Sequence, residues 1–199
     1  MRRKDSSARF LVLLTCLILC AAGPVLPGQV SVDPNSFRTN AKFSVDNDAM
    51  SLSTAVATIE PRAGAPGYSW LRIYFYSFPV AADDMPAVMK GDIRSMDSKW
   101  NKKASNPDDY NTSRAVIQLS VDKDSKVWQV DMSIPGRACT IAPFESGVKT
   151  FLQDYQFDGT NLRLKSKGSY VCDMKFMGNP NQKFNWDIDL HTVVIEKVK

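Results

Sequence analysis

Apolar and polar residues alternate with a period of two along most of this chain, and turn residues punctuate the runs, which is the pattern of half-buried β-strands. Ala115, Ile117, Leu119 and Val121 share one parity, with Arg114, Gln118 and Ser120 on the other. The polar turn Asp122–Ser125 follows, and Trp128, Val130, Met132 and Ile134 then alternate against Gln129, Asp131 and Ser133, predicting a hairpin. A second hairpin is written in Tyr155 and Phe157, the dipeptide Asp158-Gly159, and Leu162 and Leu164. Asp-Gly readily takes the positive φ that a tight hairpin needs. Lys42 to Val45, the Asp46-Asn47-Asp48 turn and Met50 to Ile59 predict a third.

The remaining runs extend the pattern. Leu162, Leu164, Tyr170, Cys172, Met174 and Phe176 share one parity, which points Cys172 inward. Phe184, Trp186, Ile188 and Leu190 lead into Val193-Val194-Ile195, an ending apolar enough to imply a well-covered last strand. Trp70 to Phe78 is apolar on both faces and so reads as a central strand. Nine or ten strands with frequent turns predict an all-β fold, an antiparallel β-sandwich or barrel-like domain. One helical signal interrupts it over Asp83–Gly91, with acidic residues and a proline at its start and a glycine at its end. The polar stretch from Asp92 to Arg114, which holds Trp100 and a glycosylation-type Asn111-Thr112-Ser113, reads as a long loop of the kind that carries function.

The N-terminus breaks the rhythm. Arg2, Arg3, Lys4 and Arg9 precede an unbroken apolar run of 13 residues, Phe10 to Ala22, and Gly23-Pro24 ends it. This is the layout of a secretory signal peptide, and the run is shorter than the ~20 residues of a spanning helix. Cleavage is expected after Ala22, with Gly28 as the second choice. Residues 1–22 are then the signal peptide, 23–36 a linker and 37–199 a single β domain. An uncleaved anchor or a lipidated cysteine fits less well, because the run is short and Leu19 precedes Cys20. The protein is therefore expected to be exported, periplasmic or extracellular, touching a membrane only through that transient segment.

Removing the segment changes two other readings. It carries four basic residues against Asp5, so the net charge of +4 falls to about +1, and a nucleic-acid partner, which asks for a basic stripe, is not expected. Cys16 and Cys20 leave with it, so Cys139 and Cys172 are the only mature cysteines. In an oxidising compartment they are expected to form one disulfide, worth roughly 3–4 kcal/mol through loop closure.

Candidate chemistry is sparse. The single histidine, His191, sits on the outward parity with Asn185, Asp187 and Asp189, a polar face more than a base or a metal site, and neither a metal nor any other cofactor is expected. A glycosidase needs two acids flanking a cleft, and Asp154, Asp173, Asp187, Asp189 and Glu145 qualify only by residue type. The acidic turns at Asp46–Asp48 and Asp122–Asp124 lack the ligand spacing of a calcium loop. Neither a phosphate-cradling glycine loop nor a nucleophile elbow is present.

Two surface patterns remain. Arg163, Lys165, Lys167 and Lys175 line one outward face, either as a polyanion surface or as solvated lysines that keep sheets apart. Trp70, Arg72, Tyr74, Tyr76 and Phe78 share one face of their strand, opposite Leu71, Ile73 and Phe75. That face is either an aromatic shelf for a sugar or another ring, or a packed interior. These readings lead to a non-catalytic binding protein for a glycan or another protein, with Trp70, Arg72, Tyr74, Tyr76 and Trp100 as candidate contacts. A carboxylate-dependent glycan hydrolase and a structural envelope or matrix component are the rivals.

Overall fold

A computed structural model describes residues 32–103, 114–134, 137–142, 148–149, 151–173 and 181–197. The signal-like segment, Asn111-Thr112-Ser113, Glu145, Met174, Lys175 and Phe176 lie outside them.

Among the described residues nine strands form one sheet: β1 (Arg38–Val45), β2 (Asp48–Pro61), β3 (Tyr68–Tyr76), β4 (Arg114–Asp122), β5 (Val127–Ile134), β6 (Arg137–Ala142), β7 (Asp154–Phe157), β8 (Asn161–Cys172) and β9 (Gln182–Glu196). Their order is β6-β5-β4-β3-β2-β1-β9-β8-β7, antiparallel throughout except where β2 runs past the end of β1 and pairs directly with β9. The three predicted hairpins are present. Their turns carry Asp46 at φ 55°, Ser125 at φ 63° and Gly159 at φ 94°. At the last, Asp158 Oδ1 accepts the N–H groups of Thr160 and Asn161 and holds the reversal.

A single sheet can bury only one face unless it curls or is covered, and this sheet does both. The inward residues of all the longer strands converge into one core, including Leu71, Ile73 and Phe75 of β3 with Ile117, Leu119, Leu164, Phe184 and Ile188. The curl carries edge strand β6 to β8, the neighbour of the opposite edge, and Cys139 and Cys172 are joined there as a disulfide. On the other face a second buried group forms, with Val56, Tyr76, Phe78, Val88, Met96 and Trp100.

The cover on that face is helical. The expected segment after Asp83 forms a 3-10 turn (Ala82–Asp84) and the short α1 (Met85–Val88), closed by Gly91 at φ 72°. A side chain at Gly91 would also collide with Lys197, its Cβ lying 2.7 Å from the lysine Cγ.

Two expectations are corrected. Within the stretch read as a loop from Asp92 to Arg114, residues Arg94–Lys103 form a ten-residue helix, α2. Its apolar stripe is only Met96 and Trp100, spaced i and i+4, too narrow to show as a helical period in a polar sequence. Asp92 marks its start by accepting the Arg94 N–H at 3.0 Å. Trp128, placed inward by alternation, is instead 37% exposed, because an irregularity in the β4–β5 ladder near Ser120 and Val121 turns Val127 inward in its place. Among the described residues no helix is long and apolar enough to cross a membrane.

Candidate binding groove

The outer face of β3 presents Tyr68, Trp70, Arg72 and Tyr74 in succession, since alternate residues of a strand share a face. Cross-strand register extends the Arg72 position into a row, with Arg72 opposite Gln118 of β4, Gln118 opposite Asp131 of β5, and Asp131 opposite Thr140 of β6. Hydrogen bonds join the row in two pairs. Arg72 Nε donates to Gln118 Oε1 at 2.6 Å. Thr140 Oγ1 donates to one oxygen of Asp131 at 2.6 Å, and Gln129 Nε2 donates to the other at 2.8 Å. Glu60 pairs with the Arg72 guanidinium and is itself 3.3 Å from Lys197. The side chains thus hold one another in direction.

A groove of about 720 Å³ lies over this row. Arg72, Gln118, Asp131 and Thr140 line it together with Tyr74 and Arg114, and the end of β8 closes the far side with Tyr170, Cys172 and Asp173. Tyr170 is 40% exposed at the rim of the groove. Arg114 is held at one end between two rings, its guanidinium carbon 5.9 Å from the centre of Tyr74 and 5.2 Å from that of Trp100. Asp97 of α2 anchors it at 3.2 Å.

The five candidate contacts therefore separate. Arg72 and Tyr74 line the groove. Trp70 is half-buried beside it, capped by Arg62, whose guanidinium lies 4.3 Å above the ring and donates to Ser120 Oγ. Tyr76 is fully buried beneath α2 and donates to Asp97 Oδ1 at 2.7 Å, while Trp100 lies on the inner side of the same helix. Burial first, and then the Asp97 carboxylate, push the Tyr76 phenol far above its ordinary range.

Gln118 and Asp131 were legible as outward-facing residues but not as members of a row with Thr140, because register between strands is not written in either strand alone. Tyr170, on the inward parity by alternation, is instead exposed. It reaches the groove because the end of β8 extends to the rim of the curled sheet.

The other candidate surfaces are self-paired. Arg163 bonds Asp154 at 3.0 Å, Lys165 approaches Asp189 at 3.5 Å, and Lys167 donates to Asp187 at 2.8 Å. That last bond holds the Asp187 carboxyl below the usual carboxylate range. His191 is exposed opposite Arg163 and borders a second depression of about 970 Å³, between the β4–β5 turn and the β7–β8 hairpin. Asp46 and Asp48 face Arg137 at 3.8 and 3.6 Å, and Asp122 accepts Trp128 Nε1 at 2.8 Å. No group of three metal-ligating side chains occurs among the described residues.

Compared with protein families, with curated proteins and with solved structures, the chain matches none.

Proposed function

We propose that this is an exported, non-catalytic binding protein whose groove across β3–β6 takes a glycan. The observation that carries the reading is the polar row Arg72–Gln118–Asp131–Thr140 with the exposed ring of Tyr170 across the groove. Sugars offer hydroxyls that bond to planar amide, carboxylate and guanidinium groups, and apolar ring faces that lie on aromatic side chains. Side chains oriented by one another lose little freedom on binding, which raises affinity without added contact area. Both oxygens of Asp131 already accept a hydrogen bond, an arrangement suited to an oriented acceptor. Export is supported by the basic-then-apolar N-terminus together with the disulfide.

The test is a glycan array probed with the oxidised protein, followed by titration of the retained glycan. Tyr170→Ala and Gln118→Ala should each weaken binding about tenfold, equivalent to ~1.4 kcal/mol, while the melting temperature stays within a few degrees. An array with no retained glycan, or one bound equally by both variants, overturns the reading.

A further inference from the structure

Among the described residues, no ladder directly joins the two walls of the groove. One is the set of hydrogen-bonded strands β3 to β6. The other is the end of β8, where Tyr170, Cys172 and Asp173 project. Strand β8 pairs with β9 and β7, β6 pairs with β5, and no register couples β6 to β8 among the described residues. A covalent tie between the walls is the disulfide, and both of its cysteines line the groove.

We infer that the Cys139–Cys172 disulfide is the clasp of this groove, and that thiol–disulfide exchange at Cys172 opens it while the sheet stays folded. The inference rests on the groove described above and adds its regulation. Cys139 is only 4% exposed whereas Cys172 is half-buried, so an incoming thiolate meets Cys172 first. A dithiol reductant attacks Cys172 Sγ and forms a mixed disulfide. The Cys139 sulfur leaves as a thiolate and takes up a proton. The reductant's second thiol then closes its own disulfide and releases Cys172 as a thiol, so two electrons pass from the dithiol to the protein.

The fold has reason to survive this step. Twelve consecutive register pairs hold β8 to β9, from Asn161–Val193 to Cys172–Gln182, and the core on the inner face is shared by strands on both sides of the curl. A second, weaker latch ties β6 to the β1–β2 turn and, through it, to β9, the ladder partner of β8. Arg137 of β6 faces Asp46 and Asp48 at 3.8 and 3.6 Å, and Asp46 is bonded in both directions to the Lys183 backbone of β9. Ion pairs that long and partly exposed are screened by salt. The clasped state is therefore covalent when oxidised and ionic when reduced.

Amide hydrogen exchange on the full chain, oxidised and then reduced with dithiothreitol, reads this without any ligand. Exchange should rise at least tenfold in residues 137–142 and 168–173, while 71–76, 115–121 and 187–195 keep their protection and the far-ultraviolet dichroism is unchanged. Arg137→Ala, or added salt, should raise exchange in the same segments further in the reduced protein and leave the oxidised protein as it was. The Cys139→Ser, Cys172→Ser double variant should behave as the reduced protein does, with no reductant present. Unchanged exchange at both walls overturns the inference, and so does loss of protection throughout the sheet, which would make the bond a staple of the whole fold. Neither result depends on which glycan binds. Failure of the array with these exchange changes present would count against the glycan and leave the clasp standing.

Discussion

Ser166 sits on the apolar parity of β8 with no exposed surface, and replacing it with alanine tests how this core satisfies its few polar groups. Its hydroxyl donates to the Phe151 carbonyl and accepts the Trp186 Nε1–H at 2.8 Å, so one oxygen satisfies two buried neighbours. The Trp186 ring is fixed there by Phe151, 5.0 Å away between centres, and by Gly168, where a Cβ would lie 2.9 Å from the indole. It has no room to turn its N–H toward water. Ser166→Ala leaves a buried donor and a buried acceptor unpaired, each costing about 1–3 kcal/mol, offset in part because the serine hydroxyl itself no longer needs desolvation. A net loss of about 2–4 kcal/mol is expected. For a chain of this size that is a fall in melting temperature of roughly 5–15 °C, with the denaturant midpoint reduced and the slope unchanged. The double variant Ser166→Ala, Trp186→Phe removes the orphaned donor too, and its loss should fall short of the sum of the two single losses by about 1 kcal/mol. A single-variant loss below about 0.5 kcal/mol, the size of an ordinary surface change, would refute the reasoning.

Two titrations follow from the same structure. Burial raises the phenols of Tyr76 and Tyr155 above the ordinary range, the first helped by the Asp97 carboxylate and the second by the charge of Asp122. The unfolded state therefore loses these protons first, and stability is full below about pH 10 and falls as pH rises beyond it. Phenolate absorbance before the alkaline transition should be the same in wild type, Tyr76→Phe and Tyr155→Phe, and a smaller amplitude in either variant would show that its tyrosine titrates freely. Hydrogen bonds from the Arg94 side chain and N–H lower the Asp92 carboxyl to about 2, so its contribution is present above the usual carboxylate range and is lost as pH falls toward 2. Carboxyl-carbon NMR should find that midpoint and see it climb toward the ordinary value in Arg94→Ala.

Local chemistry made most strands and turns readable. The positive φ at Asp46 and Gly159 falls where Asp and Gly tolerate it, and alternation put Ile117, Leu119, Val130 and Met132 inward correctly. What failed depended on distant partners. Trp128 faces outward because the irregularity lies in its pairing with β4, and nothing in the β5 sequence records it. Helix α2 hid because two apolar residues in ten suffice when the helix lies on Tyr76 and Arg114, contacts supplied by strands far along the chain. The placement of β9 beside β1 is equally non-local, with Lys42 meeting Asp187 across a long separation.

The candidate site shows the same division within one strand. Parity correctly put Trp70, Arg72, Tyr74 and Tyr76 on a common face, but parity says nothing about what covers a face. Helix α2 covers its far end, and there Tyr76 needs a buried acceptor, which Asp97 provides. Toward the middle there is no helix, so Arg72 must find its partners across the sheet, in Glu60 and Gln118. The groove begins where the helical cover stops. The polar groups lining it are accordingly those in register with Arg72 across the sheet, Gln118, Asp131 and Thr140, more than the aromatic residues of the strand. In a curled sheet the outer face is polar by default. A site on it is marked by polar side chains that orient one another across strands, as these do.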